Sequence, residues 1–276
     1  MRALDHIVMP FAALGEARGF LESLGFTVAP EARHPFGTGN ACVFFSSGPF
    51  LEPLARLDEA ACTAADREGN LFVRRDAAFR DRPVSAFSAL ALASPDIHAD
   101  RESLALLGLA EQASVDFSRV LTLGDGTTAD LSFSLAFAKD FSPRAPSLFL
   151  CEQRGGAGVD RGALTRHENG ASAIAGVEFA TTDLDAAEAY LTGVLGAEGE
   201  EDEDGDLRFA TPAGFVSVVE VGGAEVPSFA LGALIVETSD LDAVRRLFEA
   251  RSIDFEDEDD SLAVACPNGP GRLVFV

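Results

Sequence analysis

Apolar and polar positions along this chain return again and again to one arrangement. A short apolar run is followed by a turn, a helix-period stretch, and then further apolar runs. "GVEFATTDLDAAEAYLTGVLGAEG", from Gly176, and "GALIVETSDLDAVRRLFEARSIDF", from Gly232, show it most plainly. In each, an apolar strand leads into Thr/Ser-Asp-Leu-Asp-Ala and then into apolar residues three and four apart, the spacing of one helix face. Asp183 and Asp240 stand where a helix N-cap belongs, because a carboxylate there accepts from the free N–H groups of the first turn. Acidic turns follow, "EDEDGDLRFATP" from Glu201 and "EDEDDSLAVACP" from Glu256, each leading into a strand that stops at a proline. A final strand, "GFVSVVEV" or "GRLVFV", closes each unit. The unit is therefore strand, helix and three strands, a βαβββ module.

The N-terminal half follows the same order. "LDHIVMPFAALGEARGFLESLGFTVAP", from Leu4, reads as strand, turn, helix and strand, and "NACVFFSSGPFLEPLA", from Asn40, as a hairpin turning at Ser46-Ser47-Gly48. Another unit starts at Phe87 and continues through "SRVLTLGDGTTADLSFSLAF", where Gly124-Asp125-Gly126 between alternating apolar runs signals a hairpin, to "SLFLCEQR". Four modules result, at about 3–56, 84–154, 172–222 and 229–276. Segment 57–83 is a charged, helical connection, and 154–170 divides the halves. A lone module leaves one sheet face open, so modules must pair to bury it. The expected fold is α+β: four modules paired into two domains with curved mixed sheets, over residues 1–170 and 171–276.

Composition narrows the partners. With 21 Lys+Arg against 45 Asp+Glu the formal net charge is −24, which repels phosphate backbones and anionic membrane faces, so nucleic acid and lipid are excluded as expected partners. A small-molecule ligand remains, and a homodimer is compatible with the sequence. Cys42, Cys62, Cys151 and Cys266 are widely spaced, with no CxxC pair, which suits reduced, buried thiols in a cytoplasmic protein rather than a zinc knuckle. No signal peptide and no apolar run of membrane-spanning length is expected. GxGxxG, P-loop, G-x-S-x-G and HExxH motifs are all absent. The 22 Phe residues suit an apolar pocket wall.

Paired βαβββ modules resemble the vicinal oxygen chelate superfamily of glyoxalase I, extradiol dioxygenases and bleomycin-resistance-type binding proteins. The opening "LDHIV", the loop "RHPFGTGN" (from Arg33), the strand "FLEPLA", and the later "CEQR" and "RHENGA" are similar to its glyoxalase-like branch. The resemblance implies a cup in which first and last strands of each module aim side chains at a divalent ion (Fe, Mn, Ni or Zn), and a substrate that offers it two neighbouring oxygens. Carried over, His6 is the first-strand ligand and Glu52 the last-strand ligand of the first module, with Glu52 also the proton-moving carboxylate. The other first-strand positions hold Ala89, Gly176 and Ala233, and the other last-strand positions are assigned to Glu152 or Gln153, Glu220 and Phe275. A catalytic metal needs about three protein ligands, and Glu152, Gln153 or a loop histidine is the candidate third.

Beside that pair, His34, Thr38 and Asn40 sit in a glycine-containing loop whose backbone can approach a ligand closely. Gln153 and Arg154 end a strand, and Arg154 could hold a carboxylate bidentately. His167 reads as a structural turn residue, His98 as exposed at a helix start, and Tyr190 as helix core. Two functions remain open: a metal-dependent lyase, isomerase or dioxygenase, and a metal-free binding protein that uses the same cup.

Overall fold

The computed structural model describes residues 1–81, 84–122, 128–142, 144–155, 162–202, 205–222, 228–258 and 260–276; the Gly124-Asp125-Gly126 turn lies outside them. The N-terminal half runs β1 (Leu4–Pro10), α1 (Leu14–Ser23), β2 (Ala32–Arg33), β3 (Thr38–Asn40), β4 (Phe50–Arg56), α2 (Glu59–Arg67), α3 (Leu71–Asp81), β5 (Ala89–Ala93), α4 (Ile97–Leu106), β6 (Ala110–Thr122), β7 (Thr128–Ala138) and β8 (Ser147–Gly155). Its eight strands form one mixed sheet in the order β2-β3-β4-β1-β5-β8-β7-β6. The C-terminal half repeats this as β9 (Ala171–Thr181), α5 (Leu184–Leu195), β10 (Glu200–Glu201), β11 (Leu207–Thr211), β12 (Gly214–Glu220), β13 (Phe229–Thr238), α6 (Leu241–Arg251), β14 (Glu256–Glu258), β15 (Ser261–Ala265) and β16 (Arg272–Phe275). Its sheet order, β10-β11-β12-β9-β13-β16-β15-β14, is the same topology. The fold is thus α+β, with four βαβββ modules in two pairs. Among the described residues no helix is long and apolar enough to cross a membrane.

Local chemistry accounts for the elements. The carboxylates of Asp183 and Asp240 accept from Ala186 N–H and Ala243 N–H at 3.0 and 2.9 Å, capping α5 and α6. Asp58 and Asp96 cap α2 and α4 in the same way. Strand alternation sends Ile7, Met9, Leu51, Leu148 and Leu150 to one face of the first sheet, where they share a core with Val177, Phe179, Leu234 and Phe248 of the second half. Phe26 stacks on Phe275 at 5.7 Å across that junction. His167 bridges it as well, accepting from Thr27 N–H at 2.9 Å and facing the Phe44 carbonyl at 2.9 Å, a structural role.

The other face of the first sheet is concave. Phe36, just after β2 at one end of the sheet, meets Phe117 on β6 at the other end with ring centres 5.1 Å apart, so the sheet curls until its ends touch. The connection between modules, expected only as a link, folds into this cup. Phe72 on α3 lies against Phe149 (6.1 Å), Phe36 (5.6 Å) and His34 (6.2 Å). Two arginines staple α3 in place. Arg75 reaches Ser147, Glu111 and Asp140. Arg80 pairs with buried Asp76 and donates to the carbonyls of Phe11 and Leu54. Phe72→Ala should therefore cost about 3 kcal/mol in urea denaturation, as for other Phe truncations in a core. It should also let benzene bind in the space left, which wild type refuses.

Candidate functional site

β1 carries the first functional residues, and a β-bulge places them. Its pairing with β5 shifts register between Leu4 and His6, so Asp5 and His6 both reach the concave side instead of alternating across the sheet. The Asp5 Oδ2 atom lies 2.6 Å from His6 Nδ1, and the His6 ring stacks on Phe50 at 4.8 Å. That contact leaves Nε2 facing Glu52, with Oε2 at 3.4 Å. Glu52 stands on β4 beside Val8, and the Asn40 carboxamide donates to its Oε1 at 2.6 Å. His34 comes next, with Nδ1 bonded to Thr38 Oγ1 at 2.8 Å and Nε2 3.9 Å from Glu52 Oε1. His6, His34, Thr38, Asn40 and Glu52 are all buried. His6, His34, Asn40 and Glu52 border a cavity of about 60 Å³ walled by Phe36, Phe44, Phe50, Phe117, Phe133 and Phe149, with Gln153 and Arg119 also lining it. At that size it holds roughly four waters or a ligand of a few heavy atoms. Thr38 holds the His34 ring and does not itself line the cavity.

Electrostatics separates the two histidines. Burial works against a charged His6, but the Asp5 hydrogen bond and the charges of Glu52 and Asp5 outweigh it and hold the ring above 6.5. For His34 burial dominates; Glu52 pulls the other way, Arg119 and His6 add to the lowering, and the ring falls to about 4. Between these values the unfolded chain takes a proton at His34 that the fold refuses, so stability drops as pH falls from about 6.5 to 4, by up to roughly 3 kcal/mol. Urea titrations of wild type and His34→Gln at pH 7 and pH 4.5 check this: most of that difference should vanish in the variant. Cys151 also faces the cavity, but burial pushes its thiol well up, which disqualifies it as a nucleophile.

Register corrects the sequence assignment of the last-strand positions. Glu52 pairs with Val8, two residues beyond His6. The same step from Ala89 reaches Ala91, whose partner on β8 is Phe149. From Gly176 it reaches Glu178 and Ser217, and from Ala233 it reaches Ile235 and Val274. Glu152, Glu220 and Phe275 are therefore not the equivalents of Glu52. Glu152 faces away from the cup with Leu148 and Leu150, and its Oε2 accepts from Ile97 N–H at 3.1 Å at the start of α4. Arg154 shares that outer face and donates to Ser134 Oγ at 2.6 Å. Of the "CEQR" stretch, Cys151 and Gln153 turn inward. In the second half, Phe215 lies where a side chain at Gly176 would stand, 2.6 Å from an added Cβ.

The donor set for a divalent ion follows from this. His6 Nε2 and Glu52 Oε2 converge, and Asp5 orients the imidazole as a carboxylate does behind a metal-bound histidine. Ala89 and Phe149 occupy the matching positions of the second module, under Phe72. His34 Nε2 lies 3.4 Å from the Asn40 amide nitrogen. Among the described residues no three His, Cys, Asp or Glu side chains are placed to hold an ion. The pair falls one donor short of the three of a catalytic site, so these residues do not fit a resident metal.

Asp5, Arg119 and the α3 roof escaped the sequence reading. Strict alternation assigns Asp5 to the opposite face from His6, and only the bulge overturns it. Alternation from Phe117 would have exposed Arg119, had the facing of β6 been known.

No curated protein sequence matches this chain. Solved structures do. A hypothetical protein from Staphylococcus aureus superposes with a TM-score of 0.70 at 10% identity, covering 100% of this chain and 99% of that one. A triple mutant of 4-hydroxymandelate synthase from Streptomyces coelicolor gives 0.60 at 13% identity, over 100% and 92%. A catechol 2,3-dioxygenase gives 0.54 at 11% identity, over 99% and 87%. At such identities these likenesses speak for the fold. The glyoxalase-like domain model matches residues 4–195, from the strand that carries His6 through the first helix of the second half. With the paired βαβββ modules and the cup around His6 and Glu52, that match establishes that the chain belongs to the glyoxalase-like domain family, within the vicinal oxygen chelate superfamily.

Proposed function

We propose that the cup is the active site of a small-molecule enzyme of the lyase or isomerase type, working by proton transfer between Glu52 and His6. The observation that carries this is the Asp5–His6–Glu52 line, 2.6 Å and then 3.4 Å, inside an aromatic-walled cavity. Asp5 fixes the ring and favours its charged form, so Nε2–H can donate to a substrate carbonyl or hydroxyl oxygen. Asn40 holds one oxygen of Glu52 and leaves the other to take a proton from the adjacent carbon. The Phe walls keep water away, which strengthens both interactions. Among the activities the family resemblance suggested, the dioxygenase reading asks for a redox metal, and the donor set is one residue short of holding it. The metal-free binding reading keeps the same cup but leaves the opposed His6 and Glu52 without a task.

The test is deuterium uptake at carbon. Protein freed of metal by EDTA is incubated in D2O with a panel of small ketones, aldehydes, and 2-oxo and 2-hydroxy acids, and loss of the C–H signal is followed by NMR. Exchange above the buffer rate that disappears in Glu52→Gln and in His6→Gln is expected. Exchange that vanishes with EDTA and returns with one equivalent of a divalent ion would overturn the reading, as would exchange that survives Glu52→Gln.

A further inference from the structure

Arg119 on β6 sends its side chain into the same cavity, beside Phe117 and Phe133. Its Nε is shut off from solvent and has no hydrogen-bond partner. Its guanidinium carbon lies 5.7 Å from the centre of the Phe133 ring. Other arginines of the interior are matched to carboxylates: Arg2 to Asp100, Arg75 to Glu111 and Asp140, Arg80 to Asp76. No ion pair involving Arg119 occurs among the described residues. The carboxylates that share the cavity are engaged elsewhere, Asp5 with His6 and Glu52 with Asn40 and His6. In a chain of net charge −24, an arginine aimed into an aromatic cup with no carboxylate partner among the described residues reads as a recognition element for an anion. A guanidinium facing a cavity is best matched by a planar carboxylate, which it binds through two parallel N–H···O bonds.

Size narrows the class further. At about 60 Å³ the cavity favours a short acid over a bulky one.

We propose that Arg119 is the specificity residue of this cup, holding the carboxylate of a short 2-oxo or 2-hydroxy acid so that its oxygen-bearing carbon faces His6 and Glu52. This rests on the proton-transfer reading for the chemistry, and on Arg119 alone for the substrate class. The role assigned from sequence to Arg154 passes to a residue on the other side of the cup, since Arg154 points outward.

Binding separates the two ideas. Lactate, glycolate and pyruvate are compared with lactamide and glycolamide by calorimetry, in wild type, Arg119→Gln and Arg119→Lys, each first shown to unfold at the wild-type temperature. Wild type should prefer acid over amide by at least about tenfold, as expected for a charge-assisted bidentate pair. Arg119→Gln should lose that preference through weaker acid binding with amide binding unchanged, and Arg119→Lys should recover part of it. Equal affinity of wild type for acid and amide, no acid binding at all, or acid binding unchanged in Arg119→Gln would overturn the proposal. Glu52→Gln should keep the acid preference while losing deuterium exchange. If wild type prefers acids but exchanges no deuterium, the chemistry falls and the role of Arg119 stands.

Discussion

Glu52→Gln should slow deuterium exchange by about 10²- to 10⁴-fold, the usual weight of a positioned general base. The substitution is chosen because the fold should hardly notice it. Asn40 donates to Oε1 of Glu52, and a glutamine carbonyl can accept the same bond. What is lost is the oxygen that faces His6 at 3.4 Å and the charge on it. The variant should therefore unfold within about 1 kcal/mol of wild type, since an isosteric swap that keeps its hydrogen bond seldom costs more. Removing that charge also withdraws one of the influences that hold His6 above its ordinary value, so the ring should titrate lower. An NMR titration of the His6 ring reads this directly. A normal exchange rate with a lowered His6 would show that Glu52 tunes the ring and takes no proton itself.

Arg80→Ala should cost roughly 3–5 kcal/mol, the largest loss of stability expected from any single truncation near the cup. The Arg80 guanidinium bonds both oxygens of Asp76 at 2.8 and 2.9 Å and the carbonyls of Phe11 and Leu54 at 2.7 and 3.0 Å. The Asp76 side chain is only 4% exposed, so truncation leaves a buried carboxylate without its hydrogen-bonded partner and with only the more distant charge of Arg56 to favour it. Burial already pushes Asp76 above its usual range, with Arg80 pulling it back. Without Arg80 the carboxyl escapes by taking up a proton, so the deficit should be large at pH 8 and shrink as pH falls. Urea denaturation at both ends of that range measures it. The paired variant Asp76→Asn with Arg80→Met, which leaves no charge behind, should recover much of the loss. If it does not, the two carbonyls matter more than the ion pair. Because α3 roofs the cup, Arg80→Ala should also blunt ligand binding, although Arg80 itself lies outside the cavity.

The two halves of the site differ in how far they could be read. His6 and Glu52 lie in strands with clear apolar patterns, and the resemblance of "LDHIV" and "FLEPLA" to the glyoxalase-like branch is what singled them out. Gln153 and Glu152 show the limit of such reading. Both stand at the end of β8, and only the pairing of β8 with β5 decides that Gln153 turns inward and Glu152 caps α4. A one-residue uncertainty in register exchanges the two faces of a strand, so neighbours in sequence become residues on opposite sides of a sheet. Segment 57–83 reads as charged and helical, and so it is, yet its charges proved to be staples into the sheet. Phe72, unremarkable in a charged stretch, fills the half of the cup where the second module holds Ala89 and Phe149.

From the chain alone came the repeated module and its helix caps, because each depends on periodicity or on contacts a few residues apart; the imidazole–carboxylate couple came from the family resemblance of its motifs. Tertiary structure decided which residues share the cavity with that couple. A bulge turned Asp5 inward, the curl of the sheet brought Arg119 from its far edge, and a connecting helix sealed the remainder. All three arise from contacts between segments tens of residues apart, whose register and curvature no local pattern encodes.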